Sequence, residues 1–107
     1  MVRASSISKQ SRAGVGTSLA IAIGRELYRR RKARGLSQAS LGEPLTRGFV
    51  SAVERGHTVQ SIAAIALLTD GLETGLDEFF RGVNEQMTRV YTAAHEHTDT
   101  DPTSRRR

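Results

Sequence analysis

The chain has 107 residues, no cysteine, 37% hydrophobic residues and a net charge of +5. A compact part of about 65 residues buries only roughly 60% of its unfolded surface, so stability is modest and a partner subunit would add to it. Without cysteine, disulfide stapling and thiolate zinc sites are excluded, which fits a reducing cytoplasm. The longest apolar run, Leu19 to Ile23, is far short of the ~20 residues that span a bilayer. The first residues, M-V-R-A-S-S-I-S-K-Q-S-R, also lack an apolar stretch with a cleavage site, so the expectation is a soluble, intracellular protein without a membrane role. Charge is unevenly placed: residues 1–34 hold nine Lys/Arg against one acid, whereas residues 35–80 hold two against six. A basic first third attracts polyanions and makes their binding salt-dependent through counterion release.

In chain order, residues 1–16 are rich in Ser, Gly, Arg and Lys and read as a flexible basic arm. Thr17 or Ser18 then caps a first helix to about Arg34, with Leu19, Ile23 and Leu27 on one face, Arg25, Arg29 and Lys32 on another, and Gly35 as its stop. Ser37 caps a short second helix, Gln38 to about Glu43, which Pro44 ends. Thr46 caps a third, Arg47 to about Arg55, with Val50 and Val53 inward and Gly56 closing it. Ser61 caps a fourth helix whose Ile62, Ile65, Leu68 and Leu72 form the cleanest amphipathic pattern. Thr74 and Asp77 resemble a capping box before a fifth helix carrying Leu76, Phe79 and Phe80. Beyond Gly82, Val83, Met87, Val90, Tyr91 and Ala94 recur at helical spacing, predicting a sixth helix from about Asn84 to His95. Its apolar stripe must fold back on the domain or cover another subunit. The segment 97–107 reads as a disordered polar tail.

Ile23-Gly24, Arg31, Gly35-Leu36-Ser37-Gln38, Leu41, Val50-Ser51, Val53-Glu54-Arg55-Gly56, Leu72 and Leu76-Asp77-Glu78-Phe79-Phe80 occur in an order and spacing that resemble the phage-repressor family. That family comprises the Cro and xenobiotic-response-element regulators. The resemblance covers about residues 23–80 and implies an all-α fold, a five-helix lambda-repressor-like DNA-binding domain over residues 17–82, with an additional C-terminal helix over 83–96. It implies an ion pair between Arg31 and Glu54 that ties the first helix to the third. It also places base-reading positions at Thr46, Arg47, Gly48, Ser51 and Ala52, and a phosphate grip at Gln38, with Arg55, His57 and Thr58 as further phosphate contacts. Arg47 is the long donor fork of this set, and arginine pairs with the O6 and N7 edge of guanine for ~1–3 kcal/mol of discrimination. Ser51 can donate or accept at a base edge, and Ala52 is small enough to meet a thymine methyl. Two features depart from the family pattern. The turn from Leu41 to Thr46 is shorter and carries Pro44, which alters the angle of the third helix. Arg30 replaces an apolar residue, so the first helix should bury less.

His95-Glu96-His97 with Asp99 and Asp101 has the composition of a metal cluster but lies in a polar tail without a scaffold, so no metal and no cofactor are expected. No phosphate loop, nucleophile elbow or paired acid and base is present, and an enzyme is not expected. The leading expectation is a transcriptional regulator, a cytoplasmic, nucleoid-associated homodimeric repressor or autoregulator on double-stranded DNA, with the C-terminal helix as a dimerising element. The alternative is an antitoxin-type or other protein-interaction module, whose tail or last helix engages a protein partner and whose helix-turn-helix only autoregulates. A third reading is nonspecific nucleic-acid binding through Arg3, Lys9 and Arg12.

Overall fold

The computed structural model describes residues 9–57 and 59–99, with side chains described for 16–57 and 59–93. Its elements are helix α1 (Lys9–Ala33), a 3-10 helix (Gln38–Leu41), α2 (Arg47–Glu54), α3 (Ile62–Leu72) and α4 (Leu76–Asp99), with no strand among the described residues. The fold is therefore all-α, with four α-helices in place of the five-plus-one expected. The second expected helix is only a 3-10 turn, and the fifth and sixth are one continuous helix.

Three of the stops and starts follow from side chains next to the backbone. The hydroxyl oxygens of Ser37, Thr46 and Ser61 accept from the N–H groups of Ser40 (3.2 Å), Phe49 (3.0 Å) and Ala64 (3.1 Å). Each satisfies a first-turn N–H that has no partner inside its helix. At the end of α1, Gly35 takes φ 69° while its N–H bonds to the Lys32 carbonyl and the N–H of Leu36 bonds to that of Arg31. This double closure needs a left-handed residue, which glycine adopts without a Cβ penalty. α3 closes in the same way on a non-glycine residue, Glu73, at φ 57°.

The core is one cluster built from Ile23 and Leu27 of α1, Val50 and Val53 of α2, Ile65, Leu68 and Leu72 of α3, and Phe79 and Val83 of α4, with Leu41 beneath them. α1 is the central element and packs on α4, α2 and α3. It runs antiparallel to α4, since Arg30 meets Glu78 near the start of α4 and Glu26 meets Gln86 further along it. Its contact with α2 is close: a Cβ at Gly24 would lie 2.5 Å from the Val53 carbonyl oxygen and 2.8 Å from that of Glu54.

Several expectations are corrected. Helix α1 begins at Lys9, so Thr17 and Ser18 are interior helical positions and residues 9–16 are not an unstructured arm. The boundary at residue 83 falls inside α4, which also carries residues 97–99 of the expected tail. Residues 1–8 and 100–107 lie outside the described residues. Thr74 does not form a capping box, because its hydroxyl donates back to the Leu72 carbonyl. α4 is continuous through Gly82, which faces the Glu26 carboxylate of α1 so closely that a Cβ would lie 2.0 Å from Oε2. The first part of the expected stripe Val83, Met87, Val90, Tyr91 and Ala94 folds back on the same chain, with Val83 buried and Met87 packed on the core, while Tyr91 is 39% exposed and the Ala94 side chain lies outside the described ones. Ile62 is 63% exposed and belongs to the outer side of α3 rather than the core.

Candidate nucleic-acid interface

α2 is short and strongly two-sided. Val50 and Val53 are fully buried, while Arg47, Gly48 and Arg55 are exposed and Ser51 and Ala52 are half-buried at the edge of that outer face. Thr46, at the N-cap, is exposed with its hydroxyl engaged by Phe49. The expected base-reading positions thus share one solvent-facing strip. Arg47 makes no hydrogen bond or ion pair with any described residue. Its guanidinium is a free five-donor fork on a face otherwise lined by small side chains.

The expected phosphate contacts are placed differently from one another. Arg55 donates through Nη1 to Ser51 Oγ one turn back (2.5 Å), so these two residues act as a joined polar unit along the strip. Gln38 is turned inward: its Nε2 donates to Glu54 Oε1 at 3.0 Å, so its amide group braces an ion pair instead of pointing at a ligand. His57 is exposed in the loop after α2, and Thr58 lies outside the described residues.

Arg31 and Glu54 pair in a bidentate fork, Nε to Oε2 at 2.6 Å and Nη2 to Oε1 at 2.9 Å, with both side chains 7% exposed. The remaining nitrogen, Nη1, donates to the Leu36 carbonyl at 2.7 Å. The hydrogen bonds that Arg31 donates to Glu54 push its guanidinium up from the ordinary value, against desolvation that pulls it down. One residue of α1 therefore holds the end of α2, the α1 stop and, through Gln38, the 3-10 turn. This clamp and the close contact at Gly24 fix the direction in which the outer strip of α2 faces. Tyr28 covers it from solvent, its ring centroid 5.4 Å from the Arg31 guanidinium carbon and 5.7 Å from Lys32 Nζ.

A second carboxylate cluster was not anticipated. Glu26 is fully buried between α1 and α4. Its Oε1 accepts from Arg29 Nε (3.1 Å) and Gln86 Nε2 (3.2 Å), and its Oε2 from Arg29 Nη2 (2.6 Å) and Arg30 Nε (2.5 Å). Burial pushes this carboxyl up, but the hydrogen bonds from Arg29, Gln86 and Arg30 together outweigh it and hold it below the ordinary value. The local part of this signal was present in sequence, since Glu26 is the lone acid of residues 1–34 and stands three and four residues before arginines. Arg30 also reaches the Glu78 carbonyl at 3.2 Å. Its side chain is only 17% exposed, so α1 buries this position against α4 despite the charge.

Among the recesses of the surface, a polar one of about 490 Å³ lies at the end of α1, lined by Arg31, Lys32, Gly35, Leu36, Ser37 and Gln38. On the α3 side of α2, an apolar groove of about 310 Å³ is lined by Pro44, Leu45, Thr46, Phe49, Ala64 and Leu67. Among the described residues, no group of three or more His, Asp or Glu is arranged to hold a metal ion, and the side chains from His95 onward lie outside that set. No described helix is long and apolar enough to cross a membrane. No protein-family model, curated protein or solved structure matches the chain.

Proposed function

We propose that this chain is a sequence-specific double-stranded DNA-binding regulator, a homodimeric repressor or autoregulator that reads a palindromic operator through α2. The observation that carries the reading is the outer strip of α2. A helix clamped to its neighbour by Arg31 and Glu54 presents one unpaired arginine, Arg47, among Gly48, Ser51 and Ala52. A major groove about 12 Å wide admits a helix. Small residues let the helix approach the base edges, and a free guanidinium at its first turn reaches guanine bidentately. Arg55, joined to Ser51, stands one turn on, where it serves the backbone or a base edge. The basic first third of the chain adds a nonspecific attraction for a duplex.

Selection of bound sequences from a random duplex pool tests the reading. The expected product is a palindrome with half-sites about 34–36 Å apart. On that site Arg47→Ala weakens binding by roughly 5- to 150-fold, the equivalent of one bidentate pair at ~1–3 kcal/mol, with little effect on random duplex. A pool that yields no enriched sequence, or equal affinity of wild type and Arg47→Ala on the enriched one, overturns the assignment of α2 as a base reader.

A further inference from the structure

Among the described residues the exposed large hydrophobics are Tyr28, Val59, Ile62, Leu67, Leu76 and Tyr91, and three of these six gather on or just before α3. The α3 sequence, I-A-A-I-A-L-L-T-D-G-L, contains one charged residue, Asp70, and no Lys or Arg. Asp70 is exposed three residues after Leu67 and four after Ala66, so the outer side of α3 is apolar except for one carboxylate. Only Ile65, Leu68, Thr69 and Leu72 face the core. Ile62 is 63% exposed, Leu67 42%, and Val59 just before the helix 45%. Ala63 and Ala66 lie between Ile62 and Leu67 on that outer side, both exposed.

We propose that this face is where two copies of the chain associate. The inference rests on the homodimer part of the reading above and names its surface. Three properties of the face favour a second copy as its occupant. α3 is the one α-helix without a basic residue in a chain of net charge +5, so it is the side on which two copies meet with least repulsion. The face is self-complementary, offering a projection at Ile62 and, past Leu67, the apolar groove of about 310 Å³ that ends at Phe49 and Leu45. A two-fold contact needs both on the same patch, so that each copy fills the other. Ala63 and Ala66 at its centre allow the two helices to approach at the short end of the ~8–10 Å range of axis separations.

α3 has eleven residues, about 16 Å of helix, so the contact falls below the ~800 Å² per partner of a stable dimer. The dimer is therefore weak, dissociating in the micromolar range, and two half-sites hold it together on DNA.

Sedimentation equilibrium of the full chain without DNA tests this. Wild type is expected to be a reversible dimer, and the double variant Ile62→Lys/Leu67→Lys to dissociate roughly tenfold more readily or beyond, a loss of ~1.4 kcal/mol or more. Its helical circular dichroism should be unchanged, since both side chains already face solvent. The chain has no cysteine, so Ala66→Cys gives a second readout independent of those lysines. It should cross-link to itself on oxidation, whereas Thr92→Cys on α4 should not. A wild type that stays monomeric, a double variant that dimerises as before, or cross-linking at Thr92→Cys in place of Ala66→Cys overturns the proposal. A monomer that still selects a single half-site would remove the α3 interface and leave the α2 reading intact. A dimer lost through α3 substitutions that never binds DNA would do the reverse.

Discussion

Gly82→Ala tests the packing of α1 on α4, because local and tertiary physics give it opposite signs. In an exposed helix interior the change stabilises by about 0.5–1 kcal/mol, glycine being the more costly residue there. Here the new Cβ would sit 2.0 Å from Glu26 Oε2 and 2.3 Å from its Cδ. A solvated glutamate would swing aside. This one is fully buried and accepts hydrogen bonds from Arg29, Arg30 and Gln86, so moving it breaks charge-assisted bonds worth about 1.5–3 kcal/mol each. Overpacking adds about 1–3 kcal/mol. With one bond lost and the propensity gain subtracted, the net effect is a destabilisation of about 2–4 kcal/mol. For a domain of this size that lowers the melting temperature by about 10–25 °C. Urea denaturation followed by helical circular dichroism reads it as a drop in midpoint at constant slope. The sign should reverse once Glu26→Ala has removed the carboxylate: in that background Gly82→Ala should stabilise by about 0.5–1 kcal/mol, giving a coupling of about 2.5–5 kcal/mol. A Gly82→Ala single variant as stable as wild type, or the same effect in both backgrounds, refutes the packing argument.

Glu54→Ala strands the buried Arg31 guanidinium and should cost about 3–5 kcal/mol, read as a fall in melting temperature, while an unchanged melting temperature would deny the clamp. Gly24→Ala drives a Cβ against two backbone oxygens of α2 that cannot rotate away, so it should destabilise by about 3 kcal/mol, whereas Gly48→Ala, with open space around it, should stabilise by about 0.5–1 kcal/mol. Glu73→Gly relieves a left-handed residue at about 1 kcal/mol and loses only an exposed pair with Arg34, so a small net gain in urea midpoint is expected. The folded carboxyl of Glu26 is held below its unfolded value of about 4.3, so its contribution is fully present above that pH and disappears as pH falls through the lower folded value. Glu26→Gln should flatten the acid limb of stability against pH, and an acid limb identical to wild type would contradict the assignment.

What was legible in the sequence divides along the range of the forces involved. The caps at Ser37, Thr46 and Ser61 and the stop at Gly35 depend on atoms within a few residues, and these were readable directly. The inward positions Ile23, Leu27, Val50, Val53, Ile65, Leu68 and Leu72 followed from spacing alone. The continuity of α4 across Gly82 was not legible for the opposite reason: the expected fifth and sixth helices were separated there, whereas the glycine accommodates the Glu26 carboxylate of α1, a contact made across the fold. Glu26 was half legible: its arginine neighbours on α1 are local, but Gln86 lies sixty residues away in sequence. Arg31 and Glu54 are likewise distant, and their pairing came from the family resemblance instead of from periodicity.

The misplacement of Ile62 shows where periodicity stops carrying information. A pattern reports which side of a helix is buried only if the other side is polar, and α3 marks its outside with Asp70 alone. Ile62, Ile65, Leu68 and Leu72 were assigned inward, while the fold turns Ile65, Leu68 and Leu72 to the core and leaves Ile62 in solvent together with Leu67. The same uniformity that defeats the pattern is the physical reason to look for a second surface against α3. Selection for folding alone would tolerate lysine or glutamate at 62, 63, 66 and 67, and the chain carries Ile, Ala, Ala and Leu there. In a small domain whose stability is marginal, an apolar face held in water invites association without adding to the core. Burying it between two copies, as proposed, would resolve that tension.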